Sequence, residues 1–162
     1  MAFSFGFFNS KNLDRVYTAE NFTEYLSSII CDGIQGNYGQ CFKLSGNGLN
    51  LTVDSGKAWI KGHYFISDTA YTIDLSSYVN TSLPRYVTVG ICCDTGENYR
   101  KIEFEVLAGT PATNPPAPNF QNTNTKTYLT LCTVLINAGA KQLSITDCRA
   151  DENICGYVRC IL

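Results

Sequence analysis

Apolar residues recur at every second position in several stretches of this chain, and at helical spacing over one stretch near its start. In the middle, Leu49, Leu51 and Val53 alternate with Asn50 and Thr52, the period of a half-buried strand. Asp54-Ser55-Gly56 carries turn chemistry. Ala58-Trp59-Ile60 then runs outward, Lys61-Gly62 turns, and His63-Tyr64-Phe65-Ile66 returns. With Lys61-Gly62 as a two-residue loop, Ile60 faces His63, Trp59 faces Tyr64 and Ala58 faces Phe65. The 59/64 pair is then the close, non-hydrogen-bonded kind, in which rings pack across strands. Trp59 is the only tryptophan, and it is expected to anchor the core with Tyr64, Phe22, Leu26 and Phe104.

The helical stretch is Phe22, Tyr25, Leu26, Ile29 and Ile30, spaced i, i+3, i+4, i+7 and i+8. Thr18 suits the N-cap and Glu20 the first turn. Tyr17 and Phe22 then occupy the two positions of a hydrophobic staple. Gly33 supplies a stop. The expectation is one amphipathic helix over about 18–32, packed on a sheet. Before it, Phe3, Phe5 and Phe7 sit at a period of two, with Phe8 breaking the pattern. Residues 1–10 read as an apolar arm, of the kind that touches a partner.

Further along, 33–48 is glycine-rich, with a short strand expected near 41–44. Ala70 to Leu75 is a strand with Tyr71 and Ile73 on one face, and 74–82 is a loop with room for one helical turn. Tyr86 to Cys93 is almost wholly apolar, which suits a central strand. After a hairpin loop at 94–98, Ile102, Phe104 and Val106 face in while Lys101, Glu103 and Glu105 face out. Thr127 to Ile136 is a long strand. It places Leu129, Leu131 and Leu135 on one side and Cys132, Val134 and Ile136 on the other. Gln142 to Ile145 is short and extended. Asp147 and Arg149 share a face and form a surface pair worth little. The segment 154–162 is apolar enough to be ordered. Four of the five prolines (Pro111, Pro115, Pro116 and Pro118) fall within 109–126, which ends in Asn and Thr. This segment should be extended and helix-free. It is read as a surface crossover between strands, the alternative being an arm lying on a neighbouring subunit. The whole, 1–162, reads as one mainly β domain, an antiparallel β-sandwich with one N-terminal helix.

Composition sharpens this picture. With 162 residues, 44% of them hydrophobic and 16% charged, the chain can bury a real core. A net charge of −2 and no basic block set nucleic acid aside as a partner. No apolar run is long enough for a membrane span. The first residues lack a basic region and a cleavage site, so folding in a cytosol is expected. The eight cysteines, Cys31, Cys41, Cys92, Cys93, Cys132, Cys148, Cys155 and Cys160, contain no Cys-x-x-Cys. With a single histidine, a zinc site would be nearly all thiolate at spacings that fit no ordinary knuckle, and no metal or cofactor is expected. Reduced thiols acting as small core hydrophobes are one reading. A disulfide such as Cys155 to Cys160 is the other.

Chemistry-bearing patterns are absent: no nucleophile elbow, no zinc-protease helix motif, no phosphate loop and no dinucleotide fingerprint. His63 closes a hairpin turn, without a sequence link to a cysteine or an acid. Asp54, Asp68, Glu103 and Glu105 offer carboxylates, and Glu103 and Glu105 share a strand face roughly 7 Å apart. Any wet strand offers such pairs, so no catalytic residue is assigned and the protein is not expected to be an enzyme. Exposed aromatics could instead stack on sugars, which keeps a carbohydrate-binding or adhesin module of a bacterial cell surface as the alternative.

The order of landmarks resembles the N-terminal, shoulder-type domain of phage baseplate-upper and tail receptor-binding proteins. The resemblance rests on Phe8-Asn9-Ser10 and on Asp14-Arg15-Val16-Tyr17 leading to Phe22. It continues through Val53-Asp54-Ser55-Gly56-Lys57-Ala58-Trp59-Ile60-Lys61-Gly62-His63-Tyr64 and Leu83-Pro84-Arg85. Gly109-Thr110-Pro111-Ala112, with Pro115 and Pro118, comes next. Ile136-Asn137-Ala138-Gly139-Ala140, Ile145-Thr146-Asp147 with Arg149, and Cys155-Gly156-Tyr157-Val158 complete it. It spans nearly the whole chain. It implies a phage- or prophage-encoded virion structural protein of the tail or baseplate, made and assembled in the bacterial cytoplasm. Such a protein is a homo-oligomer, most often a trimer, that docks on other tail and baseplate proteins as an attachment scaffold between the tail tip and host-recognition parts. Phe3, Phe5, Phe7, Phe8, Pro111, Pro115, Pro116 and Pro118 are the expected contact residues. In that family the chain usually continues into a stalk and a host-binding head, whereas this sequence stops at Leu162.

Overall fold

The structure, a computed structural model, describes residues 6–36 and 41–159. Phe3 and Phe5 of the arm, and Cys160, lie outside the described residues. The chain is mainly β, with three antiparallel sheets and one short helix. The elements are α1 (Ala19–Ser27), β1 (Gly33–Ile34), β2 (Leu44–Asn47), β3 (Asn50–Val53), β4 (Gly56–Ile60), β5 (His63–Ser67) and β6 (Tyr71–Asp74). A single 3-10 turn at Ser76–Tyr78 follows, then β7 (Arg85–Asp94), β8 (Lys101–Ala108), β9 (Lys126–Ile136) and β10 (Ser144–Asp147). The main sheet has the order β10-β9-β7-β8, and two small sheets have the orders β1-β4-β5 and β2-β3-β6.

One core joins the three sheets in a sandwich-like arrangement. Val87, Val89, Ile91 and Cys93 of β7 and Leu129, Cys132, Val134 and Ile136 of β9 meet Leu51 and Val53 of β3 and Ala58 and Ile60 of β4. Phe42 is the largest fully buried side chain. Its ring lies over Gly56, where a Cβ would come within 2.7 Å of it. Phe104 joins this core from β8. It is half-buried, and its ring meets Phe42, Phe65 and Tyr71 at centroid distances of 5.9, 5.5 and 5.2 Å.

The β4–β5 hairpin has the register its sequence dictates: Ile60 pairs with His63, Trp59 with Tyr64 and Ala58 with Phe65. Lys61 (φ 52°) and Gly62 (φ 75°) both take left-handed backbone, which matches the right-handed strand twist in a two-residue turn. The side that faces the core differs from the expectation. Ala58 and Ile60 are buried, Trp59 is only half-buried, and Tyr64 is 66% exposed. Both faces of this hairpin carry apolar residues, so alternation fixes the pairing but not which face turns inward.

Three further expectations are corrected. The helix ends at Ser27 rather than near residue 32, and none of its residues is buried. Phe22 is 50% exposed and Leu26 half-buried. The hydroxyls of Ser27 and Ser28 donate to the carbonyls of Glu24 and Tyr25, which competes with helix continuation. The following backbone is then drawn away by the far end of the chain: Cys31 N–H donates to Arg159 O (3.1 Å) and Ile34 N–H to Gly156 O (3.0 Å). Second, β9 carries a bulge, since Val89 pairs with Cys132 and Gly90 with Thr130, leaving Leu131 over. The extra residue rephases the strand, so Leu129 and Leu131 are buried along with Cys132, Val134 and Ile136. Third, Arg149 is buried. It forks onto Asp147 through Nε and Nη2 (2.6–3.0 Å) and donates Nη1–H to the Cys41 carbonyl (2.8 Å). It pins the turn before β2 to the segment after β10.

Because β8 and β9 are both antiparallel to β7, they run parallel to each other, and the chain between them must cross the sheet. The 109–126 segment makes that crossing without a helix, over the face of β7 opposite the core.

Candidate functional site

The largest run of exposed apolar side chains is built by the arm and α1. Thr18 is the N-cap, and its N–H donates to Asn21 Oδ1 (3.0 Å). The arm folds back over the start of the helix. Phe7 fills the space between the staple positions: its ring centroid lies 5.5 Å from Tyr17, 5.5 Å from Phe22 and 4.9 Å from Tyr25. The Tyr17 hydroxyl accepts from Phe8 N–H (2.7 Å) and donates to Phe8 O (3.1 Å). The Arg15 guanidinium sits 5.4 Å from the Phe8 ring, a cation–π contact. The turn between arm and helix is held by Asp14 Oδ1, which accepts Lys11 N–H (2.7 Å). Asn12 (φ 59°) and Leu13 (φ 61°) at that turn, and Phe7 (φ 64°), have left-handed backbone.

The apolar face left outside is wide. Leu13 is 90% and Val16 83% exposed, and Phe7, Phe8, Phe22 and Tyr25 are each about half exposed. The helix meets the body at the hairpin tip, where a Cβ on Gly62 would clash with the Thr23 carbonyl. Lys61 N–H donates to Asp32 Oδ1 (2.7 Å), which ties the chain after the helix to the same tip. A second, smaller apolar surface is the outer face of the β4–β5 hairpin. There the Trp59 and Tyr64 rings lie 6.2 Å apart and Ile66 is exposed beside them.

The crossover is the third candidate. Pro111, Pro115 and Pro118 are half-buried and Pro116 is exposed. The segment is clamped to its own sheet. Thr88 Oγ1–H donates to Pro118 O (2.5 Å), and Asn122 Oδ1 accepts Tyr128 N–H (2.9 Å). Phe120 stacks on Tyr128 at 4.5 Å, covering Gly90, where a Cβ would meet the ring at 2.9 Å. The sequence names the prolines of this segment, but Phe120 makes its ring contact.

Beneath the crossover's end is a polar cluster. Glu105 accepts from Lys126 Nζ (3.0 Å) and from the Tyr128 hydroxyl (3.2 Å), and Lys126 lies 3.7 Å from Asp94. Burial pushes Cys92 up to about 12, reinforced by the Glu105 carboxylate. Burial also lifts Tyr128 to about 12, with Cys92 and Glu105 adding to it. Burial works to raise Glu105 as well, but hydrogen bonds from Lys126, Cys92 and Tyr128 outweigh it and hold this carboxyl below its ordinary value. A thiol that stays protonated at neutral pH is a poor nucleophile. Burial also raises Cys93 to about 11 and Cys132 and Cys155 to about 12. Seven described cysteines are free thiols.

His63 flanks the hairpin turn within electrostatic reach of Glu20. An open depression of about 360 Å³ beside β4 and β5 is lined in part by Cys41, Lys57 and Asp68. Its Cys41 sulfur accepts Lys57 N–H (3.2 Å) and donates to Lys57 O (3.3 Å). Among the described residues, no group of three or more His, Cys, Asp or Glu side chains is placed to hold a metal ion, and no helix is long and apolar enough to cross a membrane. Sequence reasoning flagged Phe7 and Phe8 but missed Leu13 and Val16, whose exposure follows from a left-handed turn that leaves no periodic trace. No family model, no curated protein and no solved structure matches the chain.

Proposed function

We propose that this protein is a virion structural part of a phage or prophage tail or baseplate, an oligomeric attachment scaffold that works by contact and turns over no substrate. The observation that carries the contact reading is the apolar face of residues 7–25, on which Leu13 and Val16 are almost wholly exposed. A patch of this kind marks an interaction surface. The tail or baseplate assignment rests on the order of sequence landmarks from Phe8 to Val158. In this reading copies of the chain associate through the arm and helix, as a trimer, and dock on other tail proteins after assembly in the bacterial cytoplasm. The outer edge of the crossover, with Pro116, is available for a further contact. The test is light scattering of the chain with and without residues 1–9, together with co-purification from a phage lysate. The full chain is expected to be oligomeric and the shortened one to fall to monomer mass. Equal mass and equal stability for both would overturn the reading.

A second reading, a carbohydrate-binding or adhesin module, is favoured by the exposed Tyr64 ring beside Trp59. Glycan-array binding that is lost in Tyr64→Ala would select it over the scaffold.

A further inference from the structure

We infer that β5 is an open sheet edge that pairs antiparallel with β5 of a second copy, joining two three-stranded sheets into one continuous sheet. This goes beyond the arm-and-helix contact proposed above, because it uses other residues and stands or falls separately. β5 is the last strand in the order β1-β4-β5. In the observed register, Trp59/Tyr64 and Lys57/Ile66 are the non-hydrogen-bonded pairs. The N–H and C=O groups of Tyr64 and Ile66 therefore point away from β4. The same alternation turns the Lys57 backbone away from β5, toward Gln35 and Cys41. Among the described residues, no hydrogen bond reaches the outward groups of Tyr64 and Ile66.

A second observation sets this edge apart. Folded proteins blunt their edge strands with charges, prolines or bulges, which stop them pairing with other chains. β8, the edge of the main sheet, carries Lys101, Glu103 and Glu105 on its outer face. β5 has no lysine, arginine, carboxylate or proline. Its outer face presents Tyr64 and Ile66, both more than half exposed, with Trp59 half-buried beside them.

The occupant is a second copy because this edge is self-complementary. A hydrogen-bonded pair must join residues whose backbone groups point outward. A two-fold axis through Phe65 sets Tyr64 of each copy opposite Ile66 of the other. The outward N–H groups of both copies then all find carbonyls, and each Tyr64 ring covers an Ile66 side chain. An axis through Tyr64 would instead set Ile66 opposite Gly62, which has no side chain to cover it. The axis through Phe65 also brings the exposed Asp68 of each copy to the hairpin turn of the other, beside the exposed Lys61, so opposite charges meet at both ends. The contact is smaller than the ~800 Å² per partner of a standard interface, so the association should be weak and rise with concentration.

The experiment is residue-resolved amide hydrogen exchange by NMR on the full chain, from dilute to concentrated, with light scattering on the same samples. Exchange at Tyr64 and Ile66 is expected to slow on the order of tenfold or more as concentration rises. Ile66→Pro removes an outward N–H and none that β4 uses, so an edge strand tolerates it. It should abolish the slowing at Tyr64 and leave the Phe65 amide of the dilute chain protected. In a mixture of labelled and unlabelled copies, contacts between Tyr64 of one chain and Ile66 of another are expected. Fast exchange at both amides in an oligomeric sample would overturn the pairing and leave the scaffold reading standing. So would slow exchange in the dilute monomer, or inter-chain contacts to Tyr64 from any segment other than β5. A sample that is monomeric at every concentration would overturn both readings.

Discussion

Two segments of this molecule each pack a phenylalanine against other rings, yet their described contacts differ. The crossover places Phe120 over Gly90 and flat against Tyr128, and the main chain beside it is tied by Thr88 and Asn122. Beneath its end, Lys126 and Tyr128 close on the Glu105 carboxylate. The N-terminal arm places Phe7 among three rings of which two are half exposed, and its turn stores left-handed backbone at Leu13. Aromatic contact is common to both. What separates them among the described residues is the part-buried hydrogen bonding of Thr88 and Glu105 at the crossover, since a bond shielded from water is costlier to leave unmade than an exposed one. The crossover therefore behaves as part of the fold.

The largest expected effect is Phe120→Ala. The ring is half-buried, so the loss should be about 2 kcal/mol, below the range for a fully buried phenylalanine. Urea unfolding measures it, and a loss near zero would mean that the crossover is no better fastened than the arm. Next is Glu105→Gln, expected to cost about 1 kcal/mol at pH 7 by weakening hydrogen bonds to a charged group. Its pH dependence sharpens the comparison. The folded-state carboxyl is held below its ordinary value, so its contribution is fully present above the unfolded value of about 4.3 and lost as the pH falls through the folded one. The gap between wild type and variant should thus close on acidification. A gap that widens in acid would contradict the cluster's role. The smallest effect is Phe7→Ala, expected to lower global stability by under about 1 kcal/mol. A loss equal to that of Phe120→Ala, measured the same way, would erase the distinction between the two segments.

Much of the sheet structure is legible in the sequence because it is local. Lys61-Gly62 fixes the whole β4–β5 register, and the alternation of Ile102, Phe104 and Val106 with charged neighbours fixes the inner face of β8. The start of α1 is legible for the same reason, since Thr18 and the first turn act on adjacent backbone. What is not legible is set by distant parts. Ser27 and Ser28 mark the helix end locally, but the capture of 31–34 by residues 156–159 that draws the chain away beyond it has no signal near Ile29. Leu131 is an extra residue only with respect to Val89 and Gly90 on another strand. Arg149 looks like half of a surface ion pair until the Cys41 carbonyl is brought to it. The contact face was half legible. The aromatic run announced Phe7 and Phe8, but the helix spacing pointed Phe22 at the sheet, and the arm meets it instead.

The joining of Ile34 to Gly156 and Val158 sets a clock on biosynthesis. At roughly 5–20 residues per second, a ribosome takes on the order of ten seconds to deliver the second half of that pairing after the first has emerged. Throughout that interval the nascent β1 has no mate on one side, and this domain cannot finish folding until residues 156–158 have emerged.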